Sequence, residues 1–113
     1  MDKYKIPYSI TIGGQDININ FVPALGTGTL GSCSLAAGEI KIASTFGEYG
    51  QSPSSIFNTF WHESIHAILD TMGETELSQN ERFVCSFTGF LCDILRSAKY
   101  YQEDQTINET QTT

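Results

Sequence analysis

Apolar residues along this chain change their period once. Up to about residue 43 they alternate with polar ones: Ile10 and Ile12 in "SITI", Ile17, Ile19 and Phe21 in "DININFV", then Ile40 and Ile42 in "GEIKI". A period of two predicts short strands with one face toward a core and the other toward water. Gly13 and Gly14 stand between the first two runs and can take the positive φ of a tight hairpin. Pro7 confines the first strand to an edge or a late start. The Gly-rich stretch "PALGTGTLGS", residues 23–32, is read as a loop; it has neither the lysine nor the following helix of a phosphate-binding loop.

From Ser52 onward the period is helical. Ser52 and Pro53 form an N-cap and first-turn pair, and apolar positions recur at helical spacing from Ile56 until Gly73 closes the helix. "GETEL" then leads to a second helix, expected from about Ser78 to Tyr101, with Phe83, Val84, Phe87, Phe90, Leu91, Ile94 and Leu95 on one broad apolar face. So short a connection makes the two helices roughly antiparallel neighbours. The fold expected is α+β: a small N-terminal antiparallel or mixed sheet, then an active helix and a second helix packed on it, in one domain over residues 1–101. Residues 102–113 are polar and are expected to form a tail without fixed structure.

Composition narrows the partners. A chain of 113 residues has room for one core, and a net charge of -7, from 13 acids against 6 bases, disfavours nucleic acid and anionic membranes. The N-terminus lacks the apolar run of an export signal, and no stretch reaches about 18 apolar residues. The expectation is a cytoplasmic protein with neither a nucleic-acid nor a membrane partner. Cys33, Cys85 and Cys92 are odd in number and form no C-x-x-C pair, so they read as free thiols; Cys85 and Cys92 are expected to be buried at the margin of the second helix's apolar face.

The chemistry is concentrated in "TFWHESIHAIL", residues 59–69, which holds both of the chain's histidines. His-Glu-x-x-His arises by chance in on the order of a few chains per thousand of this length, so its setting must decide. At about 100° per residue from His62, His66 falls near about 40°, Thr59 about 60°, Asp70 about 80° and Glu63 about 100°, while Phe57, Trp61, Ile65, Ile68, Leu69 and Met72 occupy a separate arc. The helix is expected to have one core side and one chemical side. Imidazoles four residues apart lie one turn apart on one face and can both reach one Zn²⁺. Glu63, beside them, is placed to accept a proton from an activated water.

A catalytic zinc needs a third protein ligand, and with no third histidine a carboxylate must serve. Glu81, at the start of the second helix, is the expected ligand; Glu74 and Glu76 are the alternatives. A competing role for Glu81 is structural, because Ser78-Gln79-Asn80-Glu81 also reads as a capping box. Asp70 could orient a histidine through its outer nitrogen, and Thr59 reads as a packing or backbone-bonding hydroxyl.

With these residues in view, the stretch from about Gly38 to Leu95 resembles the small gluzincin-like metallopeptidases often encoded by phages and mobile elements, the minigluzincins. It is distantly similar to ImmA/IrrE-type peptidase domains. The residues that carry the resemblance are "GEIKI", "TFWHESIHAIL" and "NERFVCSFTGFLCDIL". It implies a minimal zincin-like fold, Zn²⁺ as cofactor, His62, His66 and Glu81 as its ligands, Glu63 as general base, and a peptide or protein substrate. "HAILD" and "NE" are also similar to thermolysin-like enzymes, but those carry an aspartate four residues past the glutamate ligand, where this chain has Cys85. The resemblance further implies that Gly38 to Ile42 is an edge strand that aligns extended substrates, and that a tyrosine, Tyr49 or Tyr100, serves the oxyanion. Two other readings stay open: a noncatalytic binding or virion-associated module that keeps the scaffold, and a regulatory protease directed at one partner. Oligomeric state is not legible.

Overall fold

The structure, a computed structural model, describes residues 3–102. Apart from Gln102, the expected tail lies outside the described residues. Strands β1 (Ser9–Ile12) and β2 (Gln15–Val22) form a hairpin in which Ile12 faces Gln15, and its two-residue turn uses Gly13 and Gly14 at φ 58° and 83°. Positive φ at both positions matches the twist of a hairpin, which is why glycine stands at each. β3 (Gly31–Ser34) and β4 (Glu39–Ala43) complete a sheet of order β1-β2-β4-β3, with β2 and β4 parallel and the other pairs antiparallel. A small ribbon of β5 (Thr45–Phe46) and β6 (Tyr49–Gly50) leads to α1 (Pro53–Met72), α2 (Thr75–Gln79) and α3 (Glu81–Ser97). The chain is α+β, a mixed N-terminal sheet followed by helices.

Helix α1 is held at both ends. Ser52 Oγ accepts from the Ser55 N–H at 3.2 Å, and Gly73 at φ 81° closes the C-terminus with the Glu74 N–H bonded to the Leu69 carbonyl. Gln51 joins the helix to the sheet: its Oε1 accepts from Ser55 and Thr59, and its Nε2 donates to the Ala43 carbonyl at the end of β4. The helix is then buried from two directions. Phe60 and Ala67 join Ile17, Ile19, Ile40 and Ile42 in one cluster against the sheet, while Ile65 and Leu69 join Val84 in a second against α3.

Several expectations are corrected here. β3 was not foreseen, because Gly-Ser-Cys-Ser has no apolar alternation; it owes its extended form to pairing with β4, from Gly31 opposite Ile42 to Ser34 opposite Glu39. Strand β4, which contains Glu39 to Ile42, lies between β2 and β3 and so is no edge. Phe21 shares the parity of Ile17 and Ile19 but is 52% exposed near the end of β2. The single core side expected of α1 is really two, and Ile68 and Met72 are exposed. The second helix is broken at Asn80, whose Oδ1 accepts from the Phe83 N–H and starts α3 afresh. Of its broad apolar face, Val84 is buried, while Phe87, Phe90 and Ile94 are exposed; Cys92, at the margin, is buried as expected. α3 has a neighbour along one flank only, and half the arc finds no cover. Cys85 is exposed as well.

Among the described residues no helix is long and apolar enough to cross a membrane. Because Ile42 is fully buried under α1, Ile42→Ala is expected to lower the unfolding free energy in urea by about 2–5 kcal/mol. Phe90→Ala, on the open face of α3, is expected to change it by less than about 0.5 kcal/mol.

Candidate metal centre

Along α1, β3 packs on one flank and α3 on the other, and His62 and His66 stand in the gap between them. Their Nε2 atoms are 3.2 Å apart, with ring planes inclined at 69°. Glu81, the first residue of α3, turns its carboxylate into the same gap: Oε1 is 3.0 Å from His66 Nε2, and Oε2 is 3.6 Å from His62 Nε2. Bonds of about 2.0–2.1 Å to a tetrahedral ion set neighbouring donors about 3.3–3.4 Å apart. The three separations found here bracket that value. The donor set of two imidazoles and a carboxylate suits a borderline dication such as zinc.

The helix break explains how Glu81 becomes available. With Asn80 capping α3, the capping box read from the sequence does not form, and Glu81 is free of the backbone of Ser78. Ser78, buried in α2, has its Oγ 3.1 Å from His66 Nδ1. With the Nδ1 proton donated to that hydroxyl, Nε2 keeps its lone pair for the gap, which is the orienting role sequence reading had offered to Asp70. Asp70 itself is exposed near the end of α1, and Glu74 and Glu76 are exposed at the start of α2. Thr59, as expected, is a packing hydroxyl, buried and donating to Gln51 Oε1 at 2.8 Å.

Electrostatics favour a cation in the gap. Burial holds the His62 imidazole below its ordinary pKa, with Glu81 opposing that effect and His66 adding to it, which favours the neutral ring a metal ligand requires. Burial pushes the Glu63 carboxyl above its ordinary value, and the Glu81 charge adds to the rise while His66 opposes it. Two carboxylates that repel each other beside two imidazole lone pairs are relieved by a dication.

Gly31 decides how closely β3 can approach. A Cβ there would lie 2.5 Å from Thr59 Cγ2 and 3.0 Å from Glu63 Cγ, so a side chain is excluded and the strand backbone packs directly against the helix. A cleft of about 310 Å³ results, walled by Gly28, Thr29, Leu30 and Gly31 on one side and by Asn58, His62, Glu63 and Glu81 on the other. The Gly-rich stretch read as a plain loop supplies this wall. Its signal in the sequence was only the glycines. Tyr49 is 76% exposed on β6, and Tyr100 lines a separate hollow; neither borders the cleft. That other hollow, about 810 Å³, lies on the opposite flank of α1 against Phe57, Phe60, Trp61 and Leu95, and among the described residues no histidine or acid lines it.

No protein-family model matches the chain, and no curated protein or solved structure is significantly similar to it.

Two outcomes are expected from the site itself. Ser78→Ala leaves His66 Nδ1 without its partner and is expected to weaken zinc binding by about 10–100-fold in competition with a chromogenic chelator. The folded-state pKa of Glu63 is raised, so its contribution to stability is full below the unfolded value and is lost as pH rises through the folded one. Metal-free Glu63→Gln is therefore expected to melt at a higher temperature than wild type at neutral pH, an advantage that shrinks in scans at pH values below the ordinary Glu range.

Proposed function

We propose that this chain is a zinc-dependent metallopeptidase of the gluzincin-like kind, with His62, His66 and Glu81 as metal ligands and Glu63 as general base. The observation that carries the reading is the convergence of both imidazole Nε2 atoms and the Glu81 carboxylate within 3.0 to 3.6 Å of one another, at the wall of a cleft that also contains Glu63.

A zinc ion in this set supplies Lewis acidity, polarising a substrate carbonyl and acidifying a water. Glu63 does the proton work. Rooted one residue past His62 and half-buried between β3 and the histidines, it takes a proton from the attacking water and returns it to the departing amine. Ser78 Oγ, 3.1 Å from His66 Nδ1, is placed to accept the proton of the tautomer that leaves Nε2 free. β3 is the sheet edge beside the cleft, so it takes the substrate-aligning role that the resemblance assigned to Gly38 to Ile42. An extended peptide can pair with its open main-chain groups, with selection left to side chains along the cleft. Asn58, one turn before His62, is a side-chain amide in the cleft wall, where the tyrosines expected for the oxyanion are not.

A second reading, a noncatalytic binding module, is favoured by one feature: Phe87, Phe90 and Ile94 are 47%, 71% and 64% exposed along one side of α3. The two readings part on Glu63. Assayed on a quenched-fluorescent peptide library with zinc-loaded protein, Glu63→Gln is expected to keep about one zinc per chain while losing about 10²–10⁴-fold in hydrolysis rate. No cleavage by wild type carrying a full complement of zinc overturns the peptidase reading and leaves the binding module.

A further inference from the structure

Helices α1 and α3 each present a pair of donors one turn apart. On α1 these are His62 and His66; on α3 they are Glu81 and Cys85. The chain order of the two helices across their contact runs in opposite senses. Glu81 meets His66 and His62, and one turn further along α3 the thiol of Cys85 comes beside His62 and, toward the start of α1, shares a hollow with Asn58. Donor atoms of His62, Glu81 and Cys85 all lie within 4.8 Å of one another. The other two thiols differ in setting: Cys92 is buried and Cys33 partly so, and burial, with nearby acids, pushes the Cys33 thiol up to about 11. Cys85 alone of the three is exposed.

We propose that Cys85 is a fourth donor to the metal ion at His62, His66 and Glu81, giving a closed set of two imidazoles, one carboxylate and one thiolate in the resting protein. The inference rests on the metal-site reading above. Cys85 is exposed one turn beyond Glu81, with its sulfur within 4.8 Å of donor atoms of His62 and Glu81, and its side chain exchanges among staggered χ1 rotamers. Binding releases the thiol proton to solvent, and withdrawal takes one back. Closed four-coordinate sites are structural, whereas hydrolytic ones keep a position open, so the thiol acts as an occupant that a peptide must displace. A sulfur donor also shifts the site toward softer ions, cadmium and zinc over manganese and magnesium.

The test is spectroscopic. Reduced, metal-free protein is titrated with cobalt(II) without oxygen, as wild type and as Cys85→Ser. Wild type is expected to develop visible d–d bands together with a near-ultraviolet thiolate-to-cobalt band, and Cys85→Ser to keep the first and lose the second. Visible bands without the thiolate band in wild type, or a thiolate band that survives Cys85→Ser, overturn the proposal and leave the three-ligand site standing. Absence of any cobalt complex overturns both. A check that needs no variant is alkylation mapped by mass spectrometry: one equivalent of zinc is expected to slow labelling of Cys85, and undiminished labelling in zinc-loaded protein overturns the proposal.

Discussion

The burial of α1 on two flanks is the constraint on which the rest of the molecule depends. Phe60 and Ala67 fasten it to the isoleucines of β2 and β4, and Ile65 and Leu69 fasten it to Val84 of α3. A helix gripped on both sides has a narrow uncovered strip between its neighbours, and that strip is where His62 and His66 stand. The same grip brings the backbone of β3 to Glu63 from one side and the carboxylate of Glu81 to the histidines from the other. Packing and chemistry are thus two consequences of one arrangement, and a change that loosens either contact also moves a donor.

Three small residues turn that arrangement into a site. Gly31 removes the Cβ that would hold β3 away from Thr59 and Glu63. Asn80 takes the cap of α3, which leaves Glu81 free to turn inward. Ser78, relieved of capping, reaches His66 Nδ1 from the short α2. The connection between the long helices is therefore more than a linker, since its residues set which carboxylate faces the histidines and which hydroxyl meets His66 Nδ1.

Features governed by local chemistry were legible in the sequence. The Gly13-Gly14 hairpin, the Ser52-Pro53 start of α1, its end at Gly73, and the shared face of His62, Glu63 and His66 all follow from spacing and from what each residue's backbone tolerates. Glu81 was legible as a candidate only in competition with its capping role, because Ser78 and Asn80 both read as caps and it is Asn80 that caps α3, while Ser78 lies against His66. Features governed by neighbours were not legible. Gly-Ser-Cys-Ser is a strand only because β4 offers it a partner, the order that makes β3 rather than β4 an edge is set by the parallel pairing of β2 with β4, and the exposure of Phe87, Phe90 and Ile94 reflects the lack of a second element beside α3. Periodicity shows that a face is apolar and is silent on whether anything covers it.

The claim at the centre of this account is that two imidazoles from α1 and a carboxylate from α3 converge on one metal ion. X-ray absorption at the zinc K edge, on protein loaded with one equivalent of zinc, measures that convergence directly. The account predicts a low-coordinate first shell with nitrogen and oxygen donors at about 2.0–2.1 Å, joined by one sulfur at about 2.3 Å where Cys85 binds, and the outer-shell scattering of two imidazole rings, reduced to one ring by His66→Ala. A shell of water oxygens without imidazole scattering, or a spectrum that His66→Ala leaves unchanged, contradicts it.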